Sequence, residues 1–360
     1  MDPLTHTLVG ASLAQTRFGR VRFGTATLVV GANLPDLDAA TYFFDSQLSL
    51  GFRRGWTHGV LAMALLPALL GWVMGQVDRF RCRRDPTTTP VSPGRLMALS
   101  YISVLSHPAL DWLNTYGVRL LMPFDGRWFY GDSLFIIDPW VWLLLGTVTM
   151  LAHSGSRPQA AGWIALGVIV TILVTGFPGM PTAIRVLWCL GVATVVGLRV
   201  WGGLQQTLRP VATVCLLLVG VYLASMIGSS QVARSQVTAW ARARGIEPRR
   251  IMVGPVPADP FRREVLIVDD LHYHRIRLDW LADDLITPVN PQAVIGDDHP
   301  ATAVALASPE LRGFATWTRF PRFSVEATAD GYRVSVADMR GLGGGVVELD
   351  RELQPIARRP

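Results

Sequence analysis

The sequence predicts a mainly α-helical protein, in which a polytopic helical membrane bundle is followed by a small soluble α+β domain. Half of its 360 residues are hydrophobic and only 17% are charged, whereas soluble domains usually carry about a quarter charged residues. Mean hydropathy is +0.32. Long apolar runs are confined to the first two thirds of the chain, and strand-like alternation is confined to the last third. We therefore place a membrane domain at residues 1–228 and a soluble domain at 229–360.

Six apolar runs come near or exceed the roughly 18 to 20 residues that cross a bilayer. They lie at about 59–77, 96–113, 134–152, 160–178, 184–201 and 210–228. Residues 4–44 are different, because two shorter apolar stretches flank a turn with Arg17, Arg20 and Arg22. We interpret these stretches as two helices that pack on the bundle without crossing the membrane. The sequence thus predicts about six spans.

The charge distribution predicts the orientation of the bundle. All 33 basic residues are arginine; 16 of them, against 10 acidic residues, precede Ser229, and the rest of the chain carries 17 of each sign. A positive excess in the apolar part sets membrane topology, so we predict no nucleic-acid partner. The Arg-rich loop at 78–95 is expected on the cytoplasmic side, and alternation over six spans then places the C-terminal domain outside the cytoplasm.

The residues after Ser229 have the composition of a soluble domain. A helix is predicted at 231–244, and alternating patterns predict strands at 262–268, 272–278, 322–327, 332–337 and 346–349. The tripeptide at 329–331, Ala-Asp-Gly, indicates a hairpin turn. A short helix near 301–313 completes the predicted α+β domain.

Ionisable residues inside the apolar region point to a metal site. The three scattered cysteines do not form a disulfide or cysteine–zinc pattern, so any metal must be held by histidines and carboxylates. Burying such groups is costly unless they are paired or bind a metal. The predicted ligands of one or two divalent ions are His6, Asp36, Asp38, His58, His107 and Asp111.

Spacing supports part of this set. His107 and Asp111 are four residues apart, which places both side chains on one face of a helix; a hydrogen bond that pins the helix is the alternative. Asp36 and Asp38 follow Pro35 and share a side only if the backbone is extended. Asp38 is also our candidate general base. The alternative is that one of these two aspartates caps the next helix, as we expect Asp2 to do before Pro3.

Three further residues have candidate roles around this site. Arg53 and Arg54 are predicted to bind substrate, since a guanidinium can hold a phosphate with two hydrogen bonds; anchoring at the level of the lipid headgroups is the alternative. Asp138 either orients a metal ligand or only caps the helix that Pro139 opens.

Five motifs in order resemble the YdjM-like, LexA-regulated, inner-membrane family of metal-dependent hydrolases. They are Asp-Pro-Leu-Thr-His at 2–6, Leu-Pro-Asp-Leu-Asp at 34–38, Arg-Arg-Gly-Trp-Thr-His at 53–58, Ser-His-Pro-Ala-Leu-Asp at 106–111 and Phe-Ile-Ile-Asp-Pro at 135–139. The resemblance covers roughly residues 1 to 200 and is closest to longer members with a soluble C-terminal domain. It implies a bacterial inner-membrane location and metal-dependent hydrolysis.

A more distant similarity is to zinc-dependent phospholipases C, which are helical enzymes with histidine ligands, a Pro-Asp carboxylate and a His-x-x-x-Asp helix. By motif, His107 and Asp111 match that helix, Asp36 matches the carboxylate, and His6 and His58 match isolated histidines. Further downstream ligands of those enzymes have no equivalent here. The similarity implies zinc as the divalent metal, with one or two ions rather than three.

The function predicted from these observations is hydrolysis, at the membrane interface, of a phosphoester in a lipid or lipid-linked substrate. A transporter or proton-relay protein, or a membrane sensor, could use the same buried His/Asp cluster. A transporter would be favoured by broken helices repeated in two halves, and the sequence shows no such repetition. Protein partners are left unassigned.

Overall fold

The computed structural model describes residues 1–85, 87–203 and 207–356, and the side chains of all of these except 290–292. The chain is mainly helical and ends in two antiparallel sheets. The helices are α1 Pro3–Ala14, α2 Gly24–Asn33, α3 Ser46–Phe52, α4 Val60–Arg84, α5 Pro93–Trp112, α6 Pro139–Ala152, α7 Arg157–Gly176, α8 Thr182–Trp201, α9 Leu208–Arg242, α10 Pro300–Ala307 and α11 Arg312–Trp317. Short 3₁₀ helices occupy Arg17–Arg20, Leu34–Phe43 and Pro309–Leu311.

Four helices in the described ranges are long and apolar enough to cross a membrane: α4, α7, α8 and α9. This is two fewer than the six predicted spans. The run at 96–113 forms α5, whose 20 residues include polar side chains at the metal-site end. The run at 134–152 forms α6, which has only 14 residues and is about 21 Å long. Polar residues and length therefore set these two helices apart from the four candidate spans.

The N-terminal helices α1 and α2 form a hairpin of 12 and 10 residues, too short to cross a bilayer, as predicted. Asp2 caps α1 by accepting a hydrogen bond from the Thr5 backbone N–H at 2.9 Å, and Pro3 begins the helix. Glycines allow close packing, since a Cβ at Gly10 would lie 2.6 Å from the carbonyl oxygen of Leu28. A Cβ at Gly31 would lie 2.0 Å from Ser103 Oγ on α5. The hairpin is thus held against α5.

Helix α9 joins the two parts of the chain. It runs without interruption through the predicted domain boundary after Gly228, and it includes most of the helix predicted at 231–244. Its first half is apolar, and Ala233, Val237 and Ala241 in its second half pack in a core with the first sheet. The predicted boundary between the two domains therefore lies inside one helix.

The C-terminal domain contains two antiparallel sheets. The strands are β1 Arg250–Val256, β2 Asp259–Val268, β3 His272–Asp279, β4 Ile286–Val294, β5 Pro321–Ala327, β6 Gly331–Asp338 and β7 Gly344–Asp350, in the orders β1-β2-β3-β4 and β5-β6-β7. All five predicted strands are present, and the predicted hairpin at 329–331 connects β5 to β6. The sequence did not predict β1 and β4. The single helix predicted at 301–313 is divided among α10, a 3₁₀ turn and α11.

This domain is docked on the membrane bundle through buried polar contacts. Arg319 donates two hydrogen bonds to Asp132, at 2.7 and 2.9 Å. Arg263 is fully buried and donates to the carbonyl oxygens of Ser133 and Met226, both at 3.1 Å. These contacts lie at the end of the bundle where α4 begins and α5 ends, opposite the Arg-rich end where α4 stops at Arg84 and α5 starts at Pro93. The arginines predicted in a loop at 78–95 lie in these two helices.

Candidate metal centre

Side chains from four separate segments meet at the docked end of the bundle. His6 lies on α1, Asp36 on the Leu34–Phe43 3₁₀ helix, His58 just before α4, and His107 and Asp111 in the last two turns of α5. All are buried except Asp36, which is partly buried. They form two groups whose ligand atoms lie within 4.8 Å of one another: Asp36, His58 and His107, and His6, His107 and Asp111. These buried His/Asp groups can hold a metal ion.

The first group, extended by Asp111, has the spacing of a four-coordinate site. Asp111 Oδ2 lies 3.3 Å from His58 Nε2 and 3.6 Å from His107 Nε2. Asp36 Oδ1 lies 3.7 Å from His107 Nε2. Tetrahedral zinc with bonds of about 2.0–2.1 Å needs neighbouring ligand atoms about 3.3–3.5 Å apart. The observed spacing therefore fits a small divalent cation after a slight contraction.

Hydrogen bonds at the other ring nitrogens orient both histidines of this group. His107 Nδ1 lies 2.7 Å from the carbonyl oxygen of Ala32; a carbonyl only accepts, so Nδ1 carries the proton and Nε2 presents its lone pair. His58 Nδ1 lies 2.9 Å from Thr57 Oγ1, whose hydroxyl donates to Asp38 Oδ2 at 2.9 Å. The Thr57 oxygen thus accepts from His58 Nδ1, which again leaves Nε2 as an acceptor.

The two Nε2 atoms have no hydrogen-bond partner within the described residues, although both are buried. A buried polar atom left without a partner costs about 1–3 kcal/mol, and such atoms are uncommon unless an ion, water or ligand satisfies them. Both face the same carboxylate oxygen of Asp111. Their convergence is the strongest indication that the site binds a cation.

The second group lies on the other side of Asp111. His6 Nε2 is 3.3 Å from Asp111 Oδ1, and the amino group of Met1 also contacts this oxygen. The rings of His6 and His107 are stacked, with their centroids 3.6 Å apart. Asp111 therefore presents one oxygen to each group. Both groups share His107, whose single free lone pair on Nε2 would bind one ion.

Asp38 lies behind His58, and it belongs to neither of the two groups. Its Oδ2 accepts from the backbone N–H of Arg54 at 2.8 Å and from Thr57, and it lies 3.4 Å from His58 Nδ1. Burial raises the pKa of Asp38, but the contacts with His58 and the Arg54 N–H outweigh it and hold the pKa below the usual value. Burial lowers the pKa of His58 despite the neighbouring carboxylate. This pairing favours an ionised Asp38 and a neutral His58.

The backbone around Asp36 and Asp38 differs from the prediction. These residues lie in a 3₁₀ helix rather than an extended segment, and Asn33 occupies the position before it, so neither aspartate caps a helix. A 3₁₀ helix has three residues per turn, so residues two positions apart point to different sides. Asp36 accordingly faces His107, and Asp38 faces Thr57 and His58.

The structure places Arg53 and Arg54 beside the ligands. Arg54 is 3% exposed; its Nε lies 3.0 Å from Asp111 Oδ2, and its Nη1 donates to Asn114 Oδ1 at 3.0 Å. Burial lowers the Arg54 pKa to about 10, so the guanidinium remains charged at neutral pH. Arg53 Nη2 donates to Asp36 Oδ1 at 3.2 Å. The burial of Arg54 does not fit the alternative of an anchor among lipid headgroups, whereas Arg53 is only partly buried.

Arg54 also has an uncommon backbone conformation, with φ of 52°. Residues other than glycine rarely adopt this region, and they do so mostly where the surroundings impose it. Here the backbone N–H is bound to Asp38, and the carbonyl oxygen accepts from the Arg119 N–H at 2.8 Å. The backbone N–H and the carbonyl oxygen of Arg54 are thus both hydrogen-bonded, and these two bonds fix the turn that places the side chain in the site.

Asp138 does not join the cluster. Its Oδ1 accepts from the backbone N–H groups of Trp140 and Val141, and its Oδ2 accepts from the hydroxyl of Tyr222 at 2.7 Å. This carboxylate caps α6, which is the alternative stated for it above.

Sequence reasoning missed Asn114 and Tyr116. Asn114 is 1% exposed and accepts from Arg54, while the guanidinium of Arg54 stacks over the ring of Tyr116 at 4.6 Å. Asn114 follows Asp111 by three residues, which is the spacing of one helix face and the only available signal. Tyr116 in turn contacts Trp317 of α11, with ring centroids 5.1 Å apart. The C-terminal domain therefore reaches the site through aromatic contacts.

A membrane protein with buried His/Asp groups able to hold a metal ion is the class that this fold and site define. The model of the YdjM inner membrane protein family matches residues 1–185, just over half of the chain. The protein belongs to that family.

The chain is also similar to the uncharacterized protein YfhP of Bacillus subtilis (strain 168), with 23% identity over 137 residues. This match covers 37% of either chain, so the chain spans little more than a third of this relative. No solved structure matches the chain. The predicted similarity to zinc-dependent phospholipases C is not shown by these comparisons.

Proposed function

We propose that the protein is an integral-membrane, metal-dependent hydrolase that cleaves a phosphoester of a lipid or lipid-linked molecule at the membrane interface. The observation that carries this proposal is the convergence of His58 Nε2, His107 Nε2 and Asp111 Oδ2. In both histidines the Nδ1 atom donates a hydrogen bond, so the Nε2 atom has a free lone pair for a metal ion. Asp36 completes one ion site. His6 and the second oxygen of Asp111 would serve a second ion. Zinc is the expected metal because of this N/O donor set.

A divalent ion in this position supplies Lewis-acid polarisation of a phosphoryl oxygen and makes water more acidic. The protein's own residues supply orientation and charge. In this proposal, Asp38 is a positioning residue that holds His58 through Thr57, instead of the general base first expected. Arg53 and Arg54 are the groups placed to bind the non-bridging oxygens of a phosphate.

The charge of the site supports an anionic substrate. Three carboxylates, from Asp36, Asp38 and Asp111, face two guanidiniums, from Arg53 and Arg54. With neutral histidines these five side chains leave one net negative charge, which the amino group of Met1 offsets when it is protonated. In either state a single divalent ion would make the site positive. A metal-loaded site would therefore attract phosphate esters more strongly than neutral esters.

The rim of the site supports a substrate that resides in the membrane. The 3₁₀ helix that carries Asp36 also carries Leu37, Tyr42 and Phe43, all exposed, and Phe43 is 90% exposed. Phe44 and Trp56 extend this apolar rim. Aromatic side chains of this kind concentrate at the membrane–water interface. The rim adjoins the start of α4, where Val60 and Leu61 are also exposed, so the site would open next to the bilayer.

In the proposed topology the Arg-rich end of the bundle faces the cytoplasm, and the metal site and the C-terminal domain face the other side of a bacterial inner membrane. The metal site and the Arg-rich end of α4 lie at opposite ends of the bundle, which supports this orientation. A reporter enzyme active only outside the cytoplasm, fused after residue 360, should be active. An inactive extracytoplasmic reporter with an active cytoplasmic one would reverse the orientation.

The enzyme proposal is tested on purified full-length protein by metal analysis and by hydrolysis of a panel of phospholipids and phosphoesters. We expect about one to two zinc ions per chain, and hydrolysis that a chelator abolishes and zinc restores. The His107→Ala/Asp111→Ala variant should lose both metal and activity. His272→Ala, which changes a partly exposed histidine of β3, is the matched control and should keep both. Equal, substoichiometric metal in all three proteins would refute the proposal.

A further inference from the structure

A cavity of about 560 Å³ lies between α1, α6, α7 and α8. Its walls are almost wholly apolar; Leu4 and Leu8 line it from α1, and Trp142, Trp163 and Trp188 line it from the other three helices. The polar side chains Ser154 and Arg199 stand at one end. Nothing in the proposed function uses this cavity.

The cavity is open to the surroundings of the bundle. Several residues that line it are also exposed, among them Ile164, Val168 and Ile172 on α7 and Val196 and Val200 on α8. Both helices are long and apolar enough to cross a membrane. In a bilayer, this opening therefore faces the hydrocarbon core, and a lipid acyl chain can enter the cavity through it.

The length and volume of the cavity suit a lipid chain. The lining on α8 extends from Trp188 to Val200, a rise of about 18 Å. Its volume of about 560 Å³ is in the range of small-molecule pockets. A single extended acyl chain matches both this length and this volume.

The arginine end of the cavity indicates where a headgroup would lie. Arg199 Nε donates to Ser154 Oγ and Arg199 Nη2 donates to Ser154 O, both at 2.7 Å. These bonds hold the guanidinium at the end of the cavity nearest the loop before α7. At the other end, Val174, Met180, Ile184 and Ala258 pack in one buried apolar cluster. Within the described residues that line the cavity, Arg199 is therefore the cationic side chain that a charged headgroup can meet.

We propose that this cavity binds one acyl chain of an anionic glycerophospholipid from the leaflet on the Arg-rich side, with its phosphate at Arg199. Basic pockets between membrane helices recognise anionic headgroups in this way. The bound chain lies against the face of α1 that carries Leu4 and Leu8, whereas His6 points about 200° away from each, towards the metal site. The lipid site is thus separate from the metal centre but shares a helix with it.

Two glycines allow the cavity to be filled without disturbing its walls. Gly146 and Gly167 line it, and a Cβ at either position would meet nothing within 4 Å. Gly162 on α7 also has open space around it but does not line the cavity. Gly146→Leu and Gly167→Leu are therefore filling variants, and Gly162→Leu is the matched control on the same helix as Gly167.

The experiment uses the full chain in vesicles that contain phosphatidylglycerol with a photoactivatable diazirine on one acyl chain. Cross-linked peptides are then identified by mass spectrometry. We expect cross-links concentrated on residues 142–150, 163–172 and 188–200. Labelling there should fall at least tenfold in Gly146→Leu or Gly167→Leu and remain unchanged in Gly162→Leu. Arg199→Gln should reduce the preference for phosphatidylglycerol over phosphatidylcholine about fivefold.

Three outcomes would overturn the proposal. One is labelling spread evenly over the exposed faces of α4, α7, α8 and α9 and unaffected by the filling variants. A second is equal labelling by the phosphatidylcholine probe in the wild-type protein, which removes the role of the anionic headgroup. The third is cross-links between two chains at these residues, which would identify a second copy as the occupant. Helix content from circular dichroism, measured on each variant, ensures that folded proteins are compared.

Discussion

The two halves of the membrane bundle are built in different ways. In the first half, α1, α2 and α5 approach one another at glycines and hold histidines and aspartates at one end. In the second half, only 11% of the most apolar 18-residue segment of α7 is buried inside the protein, and the same share of α8. These two helices line a cavity that is open on one side. Ligand atoms must be held within about 0.5 Å of a binding geometry, which closely packed helices achieve, whereas loosely packed helices leave room for lipid.

The largest effect is expected from substitutions that remove a ligand from one of the two candidate metal groups at a time. His58 belongs only to the first group and His6 only to the second. His58→Ala should lower zinc affinity more than about 100-fold at the first site, because outer-shell changes alone cost about 10–100-fold. His6→Ala should remove at most one ion. Zinc stoichiometry and affinity, measured by titration against a competing chelator, distinguish a one-ion site from a two-ion site.

If His6→Ala leaves the stoichiometry unchanged, the protein binds a single ion and Asp111 does not bridge. If His58→Ala and His6→Ala have equal effects on one ion, the division into two groups is wrong. His272→Ala serves again as the control, because His272 belongs to neither group.

The next effect concerns the contact between the bundle and the C-terminal domain. Asp132 is fully buried and binds Arg319 with two hydrogen bonds. Asp132→Ala leaves a guanidinium without its partner and should destabilise the protein by about 3–5 kcal/mol. Arg333→Ala, which removes an exposed pair with Glu348 at 3.2 Å, should change stability by less than about 1 kcal/mol. Thermal unfolding in detergent measures both, and equal shifts would contradict the docking role of Asp132.

Asp38→Asn tests the positioning of His58. An amide at this position accepts a hydrogen bond from the Thr57 hydroxyl less strongly than a carboxylate does. The tautomer of His58 that leaves Nε2 free for a metal ion is therefore less favoured. Zinc affinity should fall about 10–100-fold while the structure is retained. Activity at saturating zinc should recover in large part. A variant that binds zinc normally but is inactive at every zinc concentration would instead restore Asp38 as a general base.

The smallest expected effect is an acid dependence that belongs to the C-terminal domain alone. Burial raises the Asp338 pKa, but hydrogen bonds from Arg340 and the Arg319 N–H outweigh it and lower the pKa to about 2. The folded pKa lies below the unfolded value of about 3.9, so the stabilisation is present above pH 4 and is lost as the pH falls towards 2.

By pH 3, this group should account for a loss of about 1 kcal/mol of unfolding free energy relative to pH 7. Asp338→Asn should be less stable at pH 7 and should lack this component. The difference between the two proteins in chemical denaturation at pH 7, 4 and 3 measures it. A difference that does not shrink on acidification would remove Asp338 as its source.

Periodicity and composition predicted the helical class, the apolar helices and five of the seven strands, because those signals are local. The two missed strands, β1 and β4, contain prolines at Pro255, Pro288 and Pro291, which interrupt strand patterns. Pairing with β2 and β3 overrides that signal. Hydropathy alone also did not reveal that α6 ends after 14 residues, so that four helices of the described residues, rather than six, are long and apolar enough to cross a membrane.

At the site, the amino-acid sequence alone showed histidines and aspartates in apolar segments, where burial is tolerated only with a partner. How these residues lie relative to one another depended on the packing of the helices. That packing placed Asp36 beside His107 and Asp38 behind Thr57, and it brought Arg54 from the bundle rim into the buried cluster with Asn114. The contacts at the site join segments that are distant in the sequence, such as Arg54 and Asn114, 60 residues apart, and His6 and Asp111, 105 residues apart. Their geometry depends on helix packing that no local pattern encodes.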